Sequence, residues 1–227
     1  DIKGMKKPLF AAAMAVGALG CAALGFMKQW LLFLVVFVVA KFGYAVSLIF
    51  YDSMLVDITT EEKMDSVSSH GYAWGYIGSC IPFVISLVFV LMYDKIGISM
   101  TTAMMLAFFL NALWWLVVTI PLLKNYHQTN YVELPDHPIK NSFKRLAVTL
   151  RDIKKHKNIF LYLLSFFFFI DGVYTIIEMA TAYGSALGLD SQGLLLALLV
   201  TQLVAFPCAL IFSVLSKKFD TDFLIKI

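Results

Sequence analysis

The chain has 227 residues, 60% of them hydrophobic, with a mean hydropathy of +0.82 and a formal net charge of +3. Soluble domains carry about 45–50% apolar residues, so too little polar surface is present to coat a water-soluble globule of this length. So small a net charge also argues against nucleic acid as a partner, because that footprint needs basic residues massed on one accessible face.

A bilayer core of about 30 Å needs ~20 apolar residues at 1.5 Å rise each, and six stretches meet that length. They run from Pro8 to Met27, Trp30 to Tyr51, Tyr72 to Tyr93, Thr101 to Leu123, Ile159 to Tyr183 and Leu194 to Leu215. The expected fold is therefore all-α, a polytopic transmembrane helical bundle, with the lipid bilayer as its first partner. Pro8 opens the first span, where a missing N–H costs nothing, and Trp30, Tyr51, Tyr72, Tyr93 and Tyr183 sit at span ends as interfacial aromatics do. The polar opening from Asp1 to Lys7 has no signal-peptide features and reads as an internal cut. Cys21, Cys80 and Cys208 each lie inside an apolar run and none belongs to a CxxC pair. They read as small buried hydrophobes, and neither a metal nor another cofactor is expected.

The connections divide into two sides. Lys3, Lys6, Lys7, Lys63, the basic residues between positions 124 and 157, Lys217, Lys218 and Lys226 fall on one side, against only Lys28 and Lys95 on the other. The positive-inside rule places the first side, and with it both chain ends, in the cytoplasm. Residues 124–158 form the one long loop. From Ile139 onward, Phe143, Leu146, Leu150 and Ile153 recur at helical spacing while Lys144, Arg145, Arg151, Lys154 and Lys155 take other faces, the pattern of an amphipathic interfacial helix.

Ionisable groups inside spans carry the strongest site signal, since each costs about 2.5–3.5 kcal/mol at the bilayer centre unless it faces protein or water. Lys41 lies midway along the second span; its side chain reaches roughly 6 Å while the interface is ~15 Å away, so it is expected to face the interior. Asp171 and Glu178 share one face of the fifth span, about 10 Å apart along the axis. They are candidate substrate-binding or titrating groups, with Lys41 as counter-charge. Asn111 and Gln202 sit mid-span, able to bond a solute or to tie helices together. Gly71, Gly75 and Gly78 form a small-residue face on the third span; Pro82 bends the same helix and Pro207 the sixth. Asp52, Asp57, Glu61, Glu62 and Asp65 form an acidic stretch that could hold a divalent metal in a membrane-embedded phosphate enzyme, but a solvated loop is the expected reading.

Two related basic turns frame the six spans. The first reads Asp1-Ile-Lys-Gly4-Met-Lys6-Lys7 and the second Ser213-Val-Leu215-Ser216-Lys217-Lys218-Phe219-Asp220. They resemble the Gly-x-Leu-Ala-Asp-Arg-x-Gly-Arg-Lys loop of the major facilitator superfamily and its weaker copy six helices later. Phe50-Tyr51-Asp52-Ser53-Met54-Leu55 and Val67-Ser68-Ser69-His70-Gly71-Tyr72-Ala73-Trp74-Gly75-Tyr76-Ile77-Gly78 are similar to signatures of that superfamily's autophagy-related protein 22-like branch, the vacuole effluxers. So are Phe169-Ile170-Asp171-Gly172-Val173-Tyr174 and the stretch from Leu196 to Pro207. The resemblance implies part of a major facilitator fold, about helices three to eight of twelve, and a transporter rather than an enzyme. It implies alternating access for a small solute, with amino acids, which fungal members export from the vacuole, as a candidate cargo. Asp1, Gly4, Lys6, Lys7, Tyr51 and Asp52 would form the gating motif. Proton coupling, a monomeric full-length protein, and residence in the cell membrane of a bacterium or the vacuolar membrane of a fungus complete that expectation; a channel or a non-transporting scaffold is the rival.

Overall fold

Within lipid no water is available to bond a free N–H or C=O, so an apolar segment satisfies its own backbone by coiling. That requirement overrides intrinsic preference. The stretch Val35-Val36-Phe37-Val38-Val39 is β-branched and aromatic, a poor helix former in water, yet it lies inside a continuous helix of 29 residues. The computed structural model describes residues 2–133, 138–153 and 155–219; Asp1, Lys154, Asp220 and Lys226 lie outside them.

The helices in chain order are α1 (Lys6–Leu24), α2 (Trp30–Ile58), α3 (Met64–Leu91), the single turn α4 (Tyr93–Ile96), α5 (Met100–Asn125), α6 (Pro138–Ile153), α7 (Lys157–Ala186) and α8 (Ser191–Leu215), with one 3-10 turn at Glu61–Lys63. Six of them, α1, α2, α3 with its leading turn, α5, α7 and α8, are long and apolar enough to cross a membrane. Among the described residues the sole bridge of strand type joins Ile2 to Val132. The expected all-α transmembrane bundle is the fold observed. Ser99 caps α5 by accepting from the Thr102 N–H at 3.1 Å. α7 stops at a turn in which Gly188 takes φ +78°, a conformation that side chains disfavour, and its N–H closes on the Ser185 carbonyl at 3.0 Å.

The chain forms two compact units, Asp1–Val132 with Leu196–Ile227, and Glu133–Leu195. In the first unit α1 packs against α2 and α5, and α5 against α3. Small residues set how closely α1 and α2 approach. A Cβ on Gly43 would lie 2.6 Å from the Gly17 nitrogen and 2.8 Å from the Ala13 carbonyl, and one on Gly20 would lie 2.7 Å from Ala40 Cβ. Backbones in such contact gain dispersion energy, which in lipid is a main source of helix association. Trp115 of α5 closes the other side of Gly17, and its ring meets Tyr44 edge-on with centroids 5.9 Å apart. α2 and α3 touch little, and a cavity lies between them.

In the second unit α6 is a helix of 16 residues whose Phe143, Leu146 and Leu150 are exposed along with Lys140, Lys144, Arg145 and Arg151. Its last residues lead into α7, which carries exposed Phe166, Phe167, Phe168 and Phe169.

Candidate functional site

Because α1 and α2 are antiparallel neighbours, the start of α1 lies beside the end of α2, and charges there meet. Lys6 Nζ donates to Asp57 Oδ2 at 2.9 Å and to the Ser53 carbonyl at 3.0 Å, with the two side chains 3% and 0% exposed. The Tyr126 hydroxyl donates to the same Oδ2. Oδ1 accepts from the Asn130 N–H at 2.7 Å and from Thr129, through its hydroxyl at 3.1 Å and its N–H at 3.3 Å. One carboxylate therefore ties three pieces of chain: the first turn of α1, the last turn of α2 and the segment after α5. Burial and the adjacent carboxylate push the Tyr126 phenol well above the ordinary tyrosine range.

A second set of bonds flanks that knot. Gly4, at φ +71°, donates its N–H to Gln128 Oε1 at 3.0 Å, and Gln128 Nε2 donates to the Ile2 carbonyl at 3.2 Å. Lys3 N–H donates to the Val132 carbonyl at 3.0 Å. Of the residues expected to gate, Gly4 and Lys6 lie in this network and Lys7 is half-buried next to it. Asp1 lies outside the described residues.

Tyr51 and Asp52 belong elsewhere. They line the cavity of about 660 Å³ between α2 and α3, with Leu55 and Ile58 of α2, Ser68, Gly71, Tyr72, Gly75, Tyr76 and Ser79 of α3, and Gln202 of α8. At about 100° per residue, Ser53, Val56 and Asp57 fall on one face of α2 and Tyr51, Leu55 and Ile58 on the opposite one. The same two turns thus serve the knot on one side and the cavity on the other.

Beside the cavity, α3 and α8 are joined by polar contacts. His70 Nδ1 lies 2.7 Å from the Ser66 carbonyl, which only accepts, so that nitrogen carries the proton. Ser213 Oγ lies 3.0 Å from the same nitrogen and 3.2 Å from Ser66 Oγ, and Ser213 is only 1% exposed. Trp74 and Phe206 add a tilted ring pair at 6.3 Å.

The remaining candidates are dispersed. Asn111 Nδ2 donates to Ser86 Oγ at 3.0 Å and to the Ala107 carbonyl at 2.8 Å, tying α5 to α3. Lys41 Nζ stands 5.7 Å from the Tyr44 ring centroid, a cation–π contact on its own helix. Asp171 and Glu178 are exposed on α7 of the second unit. A Cβ at Gly75 or Gly78 would meet nothing within 4 Å, and one at Gly71 only the Tyr51 hydroxyl at 4.0 Å. Pro82 is buried within α3, and Pro207 lies within α8. Asp57 is the functional candidate that the solvated-loop reading of the acidic stretch missed. Its signal was a charge at the end of one span and an opposite charge at the start of the antiparallel span before it.

Comparison with known proteins gives the family. The family model described as "Vacuole effluxer Atg22 like" matches residues 1–225. A protein of Bacillus subtilis (strain 168) named "Uncharacterized MFS-type transporter YxiO" is 43% identical over 223 residues, covering 96% of this chain and 52% of the relative. The chain thus spans about half the length of that relative. No solved structure matches it. The chain belongs to the vacuole effluxer Atg22-like family, as its match over residues 1–225 and its similarity to a protein named an MFS-type transporter show.

Proposed function

We infer that the chain is the middle of a secondary transporter that moves a small solute, amino acids among the candidate classes, by alternating access. The observation that carries this reading is the two-faced end of α2, with a buried ion-pair knot on one side and a solute-sized cavity on the other. Rocking a bundle needs an element whose displacement changes an opening and a latch together, and a rigid helix end shared by both provides it. Gly4, Lys6 and Lys7 act as the latch, with both chain ends and the basic loops in the cytoplasm. Asp171 and Glu178 are the proposed proton-titrating or solute-binding groups and Lys41 their counter-charge, because charges are retained within spans for such work. α6 lies on anionic headgroups, apolar residues down and basic residues toward phosphate. The full-length protein works as a monomer, in the cell membrane if it is bacterial and in the vacuolar membrane if it is fungal.

Uptake by proteoliposomes holding the full-length protein, against a panel of amino acids and amines with and without an imposed pH gradient, tests this. Saturable, substrate-dependent flux is expected. Its absence for every solute in a correctly inserted protein favours a channel or scaffold, and unchanged pH dependence in Asp171→Asn removes that residue from the coupling path.

A further inference from the structure

The wall of the cavity between α2 and α3 is chemically one-sided. Asp52 supplies a carboxylate, and among the described lining residues there is no lysine, arginine or histidine to balance it. Lys6 is engaged on the opposite face of α2 by Asp57 and the Ser53 carbonyl. Tyr51, Tyr72 and Tyr76 bring three aromatic rings, whose faces attract cations, and the rest of the wall is apolar or neutral. Gly75 leaves room: a side chain there would extend into open space and not into a neighbouring helix. At about 660 Å³ the cavity has the size of a small-molecule site.

We propose that this cavity binds an apolar solute bearing a protonated amine and no carboxylate, with Asp52 facing the ammonium and the tyrosines enclosing it. This deepens the transporter reading and rests on it. A carboxylate set in an apolar wall favours a cation over a neutral solute and repels an anion. An amino acid would bring its own carboxylate to a wall whose described residues offer it hydroxyls and the Gln202 amide but no positive charge.

Phenethylamine and phenylalanine differ only by that carboxylate, so equilibrium binding of the two radiolabelled compounds to purified full-length protein at pH 7 separates the cases. Phenethylamine is expected to bind saturably and about tenfold or more tighter than phenylalanine. Asp52→Asn, in protein that stays monodisperse, is expected to erase the difference, and Gly75→Leu to abolish binding by filling the space. Phenylalanine binding as well as or better than phenethylamine, no saturable phenethylamine binding, or a preference untouched by Asp52→Asn overturns the proposal. Any of these alongside intact flux of another solute leaves the transporter reading standing, whereas loss of all flux strikes that reading instead.

Discussion

Lys6 and Asp57, 51 residues apart in the chain, form an ion pair at 2.9 Å from which solvent is almost wholly excluded. Removing either partner leaves the other charge buried without this counter-charge, which costs far more than the net worth of the pair. Lys6→Met and Asp57→Asn should each lower unfolding stability by about 3 kcal/mol or more. The double variant should fall short of the summed losses by more than ~1 kcal/mol, because the second change removes an already orphaned group. Denaturation of purified protein in one detergent measures all four corners of that cycle, and additive losses would show that the pair is not coupled.

Tyr126 gives the knot a pH dependence with a definite sign. Its phenol is held protonated in the fold, whereas an unfolded tyrosine releases its proton near pH 10. The stabilisation is therefore complete below about pH 10 and is lost as pH rises beyond it, where the unfolded chain binds fewer protons than the folded one. Tyr126→Phe should be less stable than wild type at neutral pH by about 1–3 kcal/mol, since a buried carboxylate loses a donor. The gap should narrow between pH 9 and pH 11. A gap that widens over that range contradicts this assignment.

Glycine substitutions should separate close packing from open space. Gly43→Ala forces a methyl onto the backbone of α1 and should cost about 1–3 kcal/mol. Gly75→Ala meets no neighbour and should be neutral or stabilising by up to ~1 kcal/mol through helix propensity. Thermal melts of the two variants side by side decide it.

The join between α3 and α8 can be locked. Ser66 Oγ and Ser213 Oγ lie 3.2 Å apart, so cysteines at both positions need shift only slightly to reach the S–S length of about 2.05 Å. With Cys21, Cys80 and Cys208 replaced by serine, Ser66→Cys/Ser213→Cys should crosslink under mild oxidant. If these helices separate during the transport cycle, oxidation should arrest flux and reduction should restore it. Full flux in a quantitatively crosslinked protein would show that they travel together.

The spans were legible because length and apolarity alone decide them in lipid, as the Val35–Val39 stretch shows by coiling against its own preference. Their ends were less so. α2 runs on from Tyr51 to Ile58 and α3 begins at Met64, ahead of Tyr72, because helical bonding continues into residues polar enough to look like loop. Gly17 and Gly20 share the spacing of Gly75 and Gly78, yet only the first pair meets a neighbouring helix. Which face of a span has a neighbour depends on segments distant in the chain and leaves no local trace. Asp57 was hidden for the same reason, its partners Lys6, Tyr126, Thr129 and Asn130 coming from two remote stretches.

The seating of Gly43 against Gly17 and Ala13 has a mechanical consequence. A side chain on α2 that had to climb over a ridge on α1 could slip to the next groove, but two backbones in direct contact have no such alternative register. α1 and α2 are seated on one another both at Gly43 and at Ala40, so a displacement of α2 at the cavity wall by Tyr51 should carry α1 with it.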